Sequence, residues 1–257
     1  MVKPKKYLGQ HFLTDKNIAQ NIVSALQAES AGHILEIGAG TGILSNLLIQ
    51  KNKPLTLIDP DIESIQYLQQ IPQINTSARI LKADFLQMNL NEYFSEPVAV
   101  IGNFPYNISS QILFHILKYT DIIPEVVGMF QKEVAERIAA PPGNKTYGLL
   151  SVLIQSRYTV KYLFTVSENV FNPPPKVKSG VIQLLRRPEQ PDTYSREHFT
   201  RIVKTAFGQR RKTLRNSLKT LTQGLTLPDT YSGKRPEQLH YTDFIEITQL
   251  LYPGIDS

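Results

Sequence analysis

The sequence predicts an α/β protein: a doubly wound parallel sheet followed by a small all-helical C-terminal part. Three observations carry this. Short apolar runs at 34–37, 55–58, 80–81, 98–101 and 126–130 alternate with stretches of helical apolar spacing. Such runs mark strands buried on both faces, and their alternation with helices builds parallel sheets. A glycine-rich turn, Gly38-Ala39-Gly40-Thr41-Gly42, joins the first of these strands to a helical run, where an open sheet brings backbone close to a ligand. Beyond residue 188 the strand signal fades and helical spacing takes over.

The first segment, MVKPKKYLGQHFLTDK, interleaves Lys3, Lys5 and Lys6 with Tyr7, His11 and Phe12. That pattern fits either a solvated tail or an arm that touches phosphates and bases. A helix follows, capped by Thr14 or Asp15, with Ile18, Ile22, Val23 and Leu26 on its apolar face. The glycine turn comes next, in the pattern E-x-G-x-G-x-G beginning at Glu36. A nicotinamide-binding fingerprint needs glycine at position 43, which here is Ile43.

The second strand ends at Asp59, held out of helical geometry by Pro60. An acid about 20 residues after a glycine turn is where a ribose diol is held in dinucleotide folds. Asp61 suits a helix cap. The third strand, 79–82, ends in Ala83-Asp84-Phe85; Asp84 is either a turn residue or an acceptor for an adenine amine, with Phe85 beside the ring.

The fourth strand delivers Asn103-Phe104-Pro105-Tyr106, and a helix capped by Ser109 or Ser110 follows. This loop suits an exocyclic amine on a planar ring. The Asn103 side-chain oxygen and a backbone carbonyl accept the two amine hydrogens, proline stiffens the loop, and Tyr106 offers a stacking face. A fifth strand and two more, at 158–164 and 180–185, complete the sheet. Between the last two, the Pro173-Pro174-Pro175 run is rigid; it is either a stiff connection or a support presenting Phe171 as a wall against a base.

At 257 residues the chain accommodates one α/β domain, 1–188, and a small helical domain, 189–257, joined by the polar linker at 186–192. Cysteine is absent, which excludes disulfides and thiolate metal sites, and the five histidines show no metal-ligand spacing, so no metal is expected. No stretch is long enough to span a bilayer, so the chain is expected to be cytoplasmic and free of membrane. The net charge of +6 favours a polyanionic partner, and the segment with Arg210, Arg211, Lys212 and Arg215, with Leu214 and Leu218 turned to a core, is a candidate RNA-backbone surface.

The pieces KKYLGQHFLTD, ILEIGAGTG, IDPD, ADF, GNFPYNISS, VFNPPPKVKSGV, FGQRRKTLRNSL and RPEQLHYTDF together resemble the ribosomal RNA adenine N6,N6-dimethyltransferase family, and within it the KsgA type. The resemblance implies a class I S-adenosylmethionine-dependent methyltransferase with a Rossmann-like sheet. It implies S-adenosylmethionine bound by His11, Leu13, Glu36, Gly38, Gly40, Gly42, Asp59, Asp84, Phe85 and Asn103. The target amine falls to Asn103, Phe104, Pro105 and Tyr106, with Phe171 on the base. The basic arm and the basic helical run make Lys3, Lys5, Lys6, Arg210, Arg211, Lys212 and Arg215 the candidate RNA contacts. The resemblance implies as substrate two adjacent adenosines in a hairpin near the 3′ end of 16S rRNA, in a pre-30S particle; a monomer is the default expectation. The rivals are the macrolide-resistance type of the same family and a non-catalytic assembly factor. The loop departs from the D-P-P-Y form common in DNA adenine methyltransferases. Two departures from the family pattern stand out: Asp59 where Glu is common, and Phe104 where Leu is common.

Overall fold

The structure is a computed structural model that describes residues 2–188, 194–222 and 224–253. Its contacts divide the chain into two units, one of residues 1–135 and 159–186, the other of 136–158 and 187–257.

The first unit opens with β1 (Phe12–Leu13) and α1 (Lys16–Ala25), whose cap is Asp15, accepting from the Asn17 and Ile18 N–H groups. Then come β2 (His33–Ile37), α2 (Ser45–Leu48), β3 (Leu55–Asp59), α3 (Ile62–Gln69), α4 (Pro72–Ser77), β4 (Arg79–Lys82) and α5 (Leu90–Tyr93). They are followed by β5 (Val98–Asn103), α6 (Ser109–Lys118), β6 (Glu125–Gln131) and α7 (Lys132–Ala139), which runs across the boundary. After α8 (Leu149–Gln155) of the second unit, the chain returns through β7 (Tyr158–Val166), β8 (Phe171–Asn172) and β9 (Ser179–Arg186).

Seven strands form one sheet in the order β4-β3-β2-β5-β6-β9-β7. β2 to β6 pair in parallel, whereas β9 runs antiparallel to β6, so the expected parallel sheet is mixed at its far edge. The apolar runs of β2, β3, β5 and β6 are buried almost throughout, as a sheet covered on both faces requires. Strand order reverses between β2 and β5, and at that switch point the carboxyl ends of β3, β2 and β5 stand side by side. The glycine turn leaves β2 there, flanked by Asp59 and Asn103. Open α/β sheets hold ligands in this crevice.

A second, two-stranded ladder was not legible in the sequence. β1 and β8 pair antiparallel, Phe12 opposite Asn172 and Leu13 opposite Phe171. It fastens the N-terminal arm beside the sheet, helped by the Thr14 N–H and hydroxyl, which donate to the Val170 carbonyl at 2.8 and 2.9 Å.

The second unit contains α8, α9 (Arg196–Gly208), α10 (Leu214–Ser217), α11 (Asp229–Ser232) and α12 (Tyr241–Leu251). α9 packs against α8 and α12, burying Phe199, Ile202 and Val203 with Phe244 and Ile247. That packing draws 136–158 into this unit, so it is larger than the 189–257 segment expected from composition. Residues 189–193 of the expected linker and 254–257 lie outside the described residues. No described helix is long and apolar enough to cross a membrane.

Candidate active site

The glycine turn takes a path closed to most side chains. Gly38, Gly40 and Gly42 have φ of 72°, 54° and 79°, where a Cβ is strained. Gly38 N–H donates to the Ile58 carbonyl at 2.8 Å, which stitches the turn to the end of β3. Gly40 N–H donates to Asp59 Oδ2 at 2.9 Å, and Asp61 N–H donates to Asp59 Oδ1 at 2.8 Å. Burial raises the Asp59 pKa, while these two backbone donors pull it down. Each carboxylate oxygen keeps a second lone pair.

On the other flank, the Asn103 side chain is oriented by an unambiguous partner. Its Nδ2 donates to the His11 carbonyl at 2.8 Å. A carbonyl only accepts, so the NH2 end must face it and Oδ1 is left as an acceptor directed elsewhere. Phe104 N–H donates to the Met129 carbonyl (3.1 Å), and the Pro105 carbonyl accepts from Ile108 N–H (3.2 Å). The Tyr106 carbonyl accepts from the Ser109 hydroxyl at 3.2 Å. Among the described residues no hydrogen bond ends on the Phe104 carbonyl. Ser109 is thus the first residue of α6 and not its cap; Ile108 precedes the helix without a side-chain cap.

The third wall is the N-terminal arm. Leu8, Gly9, Gln10, His11 and Phe12 line a cleft together with Gly38, Gly40, Asp59, Pro60 and residues 103–106. His11 Nδ1 faces the Pro173 carbonyl at 2.8 Å, so that nitrogen carries the proton. Its ring stacks on Tyr106 with centroids 5.5 Å apart. The Phe12 ring lies 3.0 Å from where a Cβ on Gly40 would stand, so the arm closes directly over the glycine turn.

Several expected site residues lie outside this lining. Glu36 is 1% exposed beneath the turn, with the Ser45 hydroxyl donating to its Oε2 at 2.6 Å. Leu13 and Phe171 face each other across the β1–β8 ladder and are buried in the core. Phe171 is therefore not a free wall for a base; pairing with the arm turns it inward. Gly42 packs on α3 and α4, through Leu68 and Ile74. Asp84 is exposed and accepts from Leu86 N–H at 3.0 Å, and Phe85 packs edge-on to His115 at 4.8 Å. The Phe104 ring is also buried, edge-on to Phe130 at 5.0 Å, so only its backbone is available to a ligand. Leu8, Gly9, Gln10, Phe12 and Pro60 were missed as lining residues, although the arm's aromatics pointed to the segment.

The expected RNA-contacting cations divide. Lys3 and Lys6 are exposed, whereas Lys5 is ion-paired with Asp61 and Glu63. In the second unit, Arg210 donates to the Lys145 carbonyl (2.7 Å) and pairs with Glu237 at 3.6 Å. Arg215 donates to the Ser232 hydroxyl at 3.1 Å and pairs with Asp229 at 3.5 Å. Arg211 and Lys212 are exposed in the turn between α9 and α10, while Leu214 and Leu218 are buried as expected. No cluster of three or more metal-ligating side chains occurs among the described residues.

An acceptor amide, a carboxylate and close backbone approach around one cleft suit a nucleoside-bearing cofactor and an amine substrate. Known proteins agree. The chain is 52% identical over 251 residues to ribosomal RNA small subunit methyltransferase A of Flavobacterium johnsoniae, covering 96% of this chain and 95% of that one. It is 50% identical over 254 residues to the protein of that name in Cytophaga hutchinsonii, covering 97% and 98%. The crystal structure of a dimethyladenosine transferase from Plasmodium falciparum superimposes with a TM-score of 0.79 at 25% identity, over 92% of this chain and 96% of that one. A family model described as ribosomal RNA adenine dimethylase matches residues 1–246, and the chain belongs to that family.

Proposed function

We infer that this chain is an S-adenosylmethionine-dependent enzyme that dimethylates the N6 amines of two adjacent adenosines in a hairpin near the 3′ end of 16S rRNA. One observation carries the reading: the Asn103 amide is locked with Oδ1 free, on the cleft that also holds the glycine turn and Asp59. The adenine amine is a weak nucleophile because its lone pair is delocalised into the ring. Asn103 Oδ1 and the Phe104 carbonyl accept its two hydrogens, which tilts the lone pair out of the ring plane. Tyr106, held by its hydroxyl on Ser179 and by stacking on His11, offers the face on which the flipped base rests.

Gly38, Gly40, Asp59 and the arm residues His11 and Phe12 would hold S-adenosylmethionine, with Asp59 accepting from the ribose hydroxyls. When bound, this cofactor would supply an electrophilic methyl carried on a sulfonium sulfur. The proton that the amine gives up on methylation can pass to water. No side chain has to remove it, so the protein's contribution is orientation and preorganised acceptors. The enzyme is taken to act as a monomer. A 16S substrate places the reaction in the cytoplasm, on the pre-30S particle.

The test uses labelled S-adenosylmethionine with under-methylated small and large ribosomal subunits. Label is expected in small-subunit RNA, released as N6,N6-dimethyladenosine. Asn103→Ala is expected to keep cofactor binding and lose at least about 100-fold in rate, the scale of one preorganised electrostatic contact. Label confined to large-subunit RNA, or wild-type rates in the variant, would overturn the reading.

A further inference from the structure

Lys5 sits among cations that the sequence directs at RNA, yet its ammonium is turned inward. It bonds Asp61, whose side chain is 1% exposed, and lies 3.2 Å from Glu63; its own side chain is 21% exposed. Gln10 folds back onto the same pair. Its Oε1 accepts from Lys5 N–H at 2.8 Å and its Nε2 donates to Asp61 Oδ2 at 3.3 Å. Asp61 therefore grips the arm at both ends of one short loop, which makes a single tight turn at 6–8 and closes at Gly9 in the left-handed region.

Both ends of this grip lead into the cleft. Asp61 N–H holds one oxygen of Asp59, and the other oxygen of Asp59 holds Gly40 N–H. From Gln10 the chain passes to His11, whose carbonyl fixes the Asn103 amide. A cofactor-side contact and a substrate-side contact thus hang from one ion pair. Its electrostatics matter too: Asp59 and Asp61 are both buried, two residues apart, and the Lys5 charge offsets their mutual repulsion.

We propose that Lys5 and Asp61 are positioning residues: their ion pair latches arm residues 5–12 over the cofactor cleft, so the Lys5 charge serves cofactor retention and not RNA binding. This rests on the functional reading above. Without Lys5 a buried carboxylate loses its counter-charge, and the stretch before Gln10 loses its side-chain anchor while the Gln10–Asp61 bond and the β1–β8 ladder remain. The wall formed by residues 8–12 then opens more often, and cofactor leaves faster.

The experiment compares the full chain with Lys5→Met, Lys5→Arg and Lys6→Met. Labelled S-adenosylmethionine binding is measured by equilibrium dialysis without RNA, and amide hydrogen exchange is followed over residues 6–12. Lys5→Met is expected to weaken cofactor binding about tenfold, the scale of one charge-assisted hydrogen bond to a buried carboxylate. Exchange over 6–12 should quicken, KM for cofactor should rise more than kcat falls, and affinity for the rRNA should stay near wild type. Lys5→Arg should restore both readouts, and Lys6→Met, which removes the same charge from an exposed side chain, should move neither. Unchanged cofactor affinity in Lys5→Met, equal losses in Lys5→Met and Lys6→Met, or a loss confined to RNA affinity would overturn the proposal. Failure of the wild type to bind cofactor would instead strike the functional reading, and the exchange data would still decide the latch.

Discussion

Glu36 shows how a single buried group beneath the site sets a property of the whole fold. It stands in β2, paired on both sides by β3 and β5, with no access to water. Burial lifts its pKa to about 8, the Ser45 hydroxyl works against that shift, and the nearby Asp59 charge adds to it. At neutral pH the folded state therefore holds a proton on Glu36 that the unfolded chain releases. The raised pKa stabilises the fold fully below the ordinary carboxylate range, and this contribution disappears as pH rises through about 8. Glu36→Gln resembles the protonated acid and keeps an acceptor for Ser45. It is expected to flatten the fall in stability between about pH 5 and pH 8 by on the order of a few kcal/mol, read from urea midpoints at several pH values. An unchanged slope would show that Glu36 is ionised in the folded protein.

At the scale of elements, the Asn103–Tyr106 loop is held from behind by Phe104. Its ring packs over two strands where neither carries a side chain: a Cβ on Gly102 would meet Phe104 Cε1 at 2.7 Å, and one on Gly128 would meet Cε2 at 2.5 Å. β5 and β6 pair Gly102 with Gly128 directly, so the two glycines make room for the Phe104 ring, with the Phe130 ring also against Gly128, 2.6 Å from where its Cβ would stand. Gly128→Ala is expected to cost about 1–3 kcal/mol by overpacking and to slow methyl transfer by displacing the Asn103 loop. Combining it with Phe104→Leu, which frees volume there, should recover part of both losses. Melting temperatures and single-turnover rates check this; a stable but inactive Gly128→Ala would instead place the effect in the site itself.

The packing around Phe104 also marks where sequence reading stopped. Seven strands were legible because each is a continuous apolar run or an alternating one, and their ends delivered Gly38, Asp59 and Asn103 to one crevice. β1 and β8 were not, because two-residue strands carry no periodicity and their pairing spans most of the chain. The orientations of Phe171 and Lys5 were illegible for a related reason. An aromatic next to prolines, or a lysine among lysines, looks exposed until a partner distant in sequence, here Leu13 or Asp61, turns it inward.

For the whole molecule, the question is how a modest positive charge becomes a specific grip on RNA. The chain carries +6, but several of its cations are occupied. Arg210 braces the 143–145 loop and Glu237 within the second unit, and Gly143 N–H also donates to the Glu237 carbonyl at 2.7 Å. Its removal is expected to lower stability as well as RNA affinity. Arg211 and Lys212, exposed in the adjoining turn, are free to meet phosphates, and each phosphate they neutralise releases condensed counterions. Replacing both with alanine is therefore expected to weaken rRNA binding and to reduce the slope of log Kobs against log salt by about one per lost contact. Melting temperature and cofactor affinity should stay at wild-type values. Arg210→Ala, by contrast, should lower the melting temperature, so the pair of measurements separates cations that build the second unit from cations that bind its partner. An unchanged salt slope in the double variant would make this turn a solvated surface and move the RNA contacts to the exposed Lys3 and Lys6 of the arm.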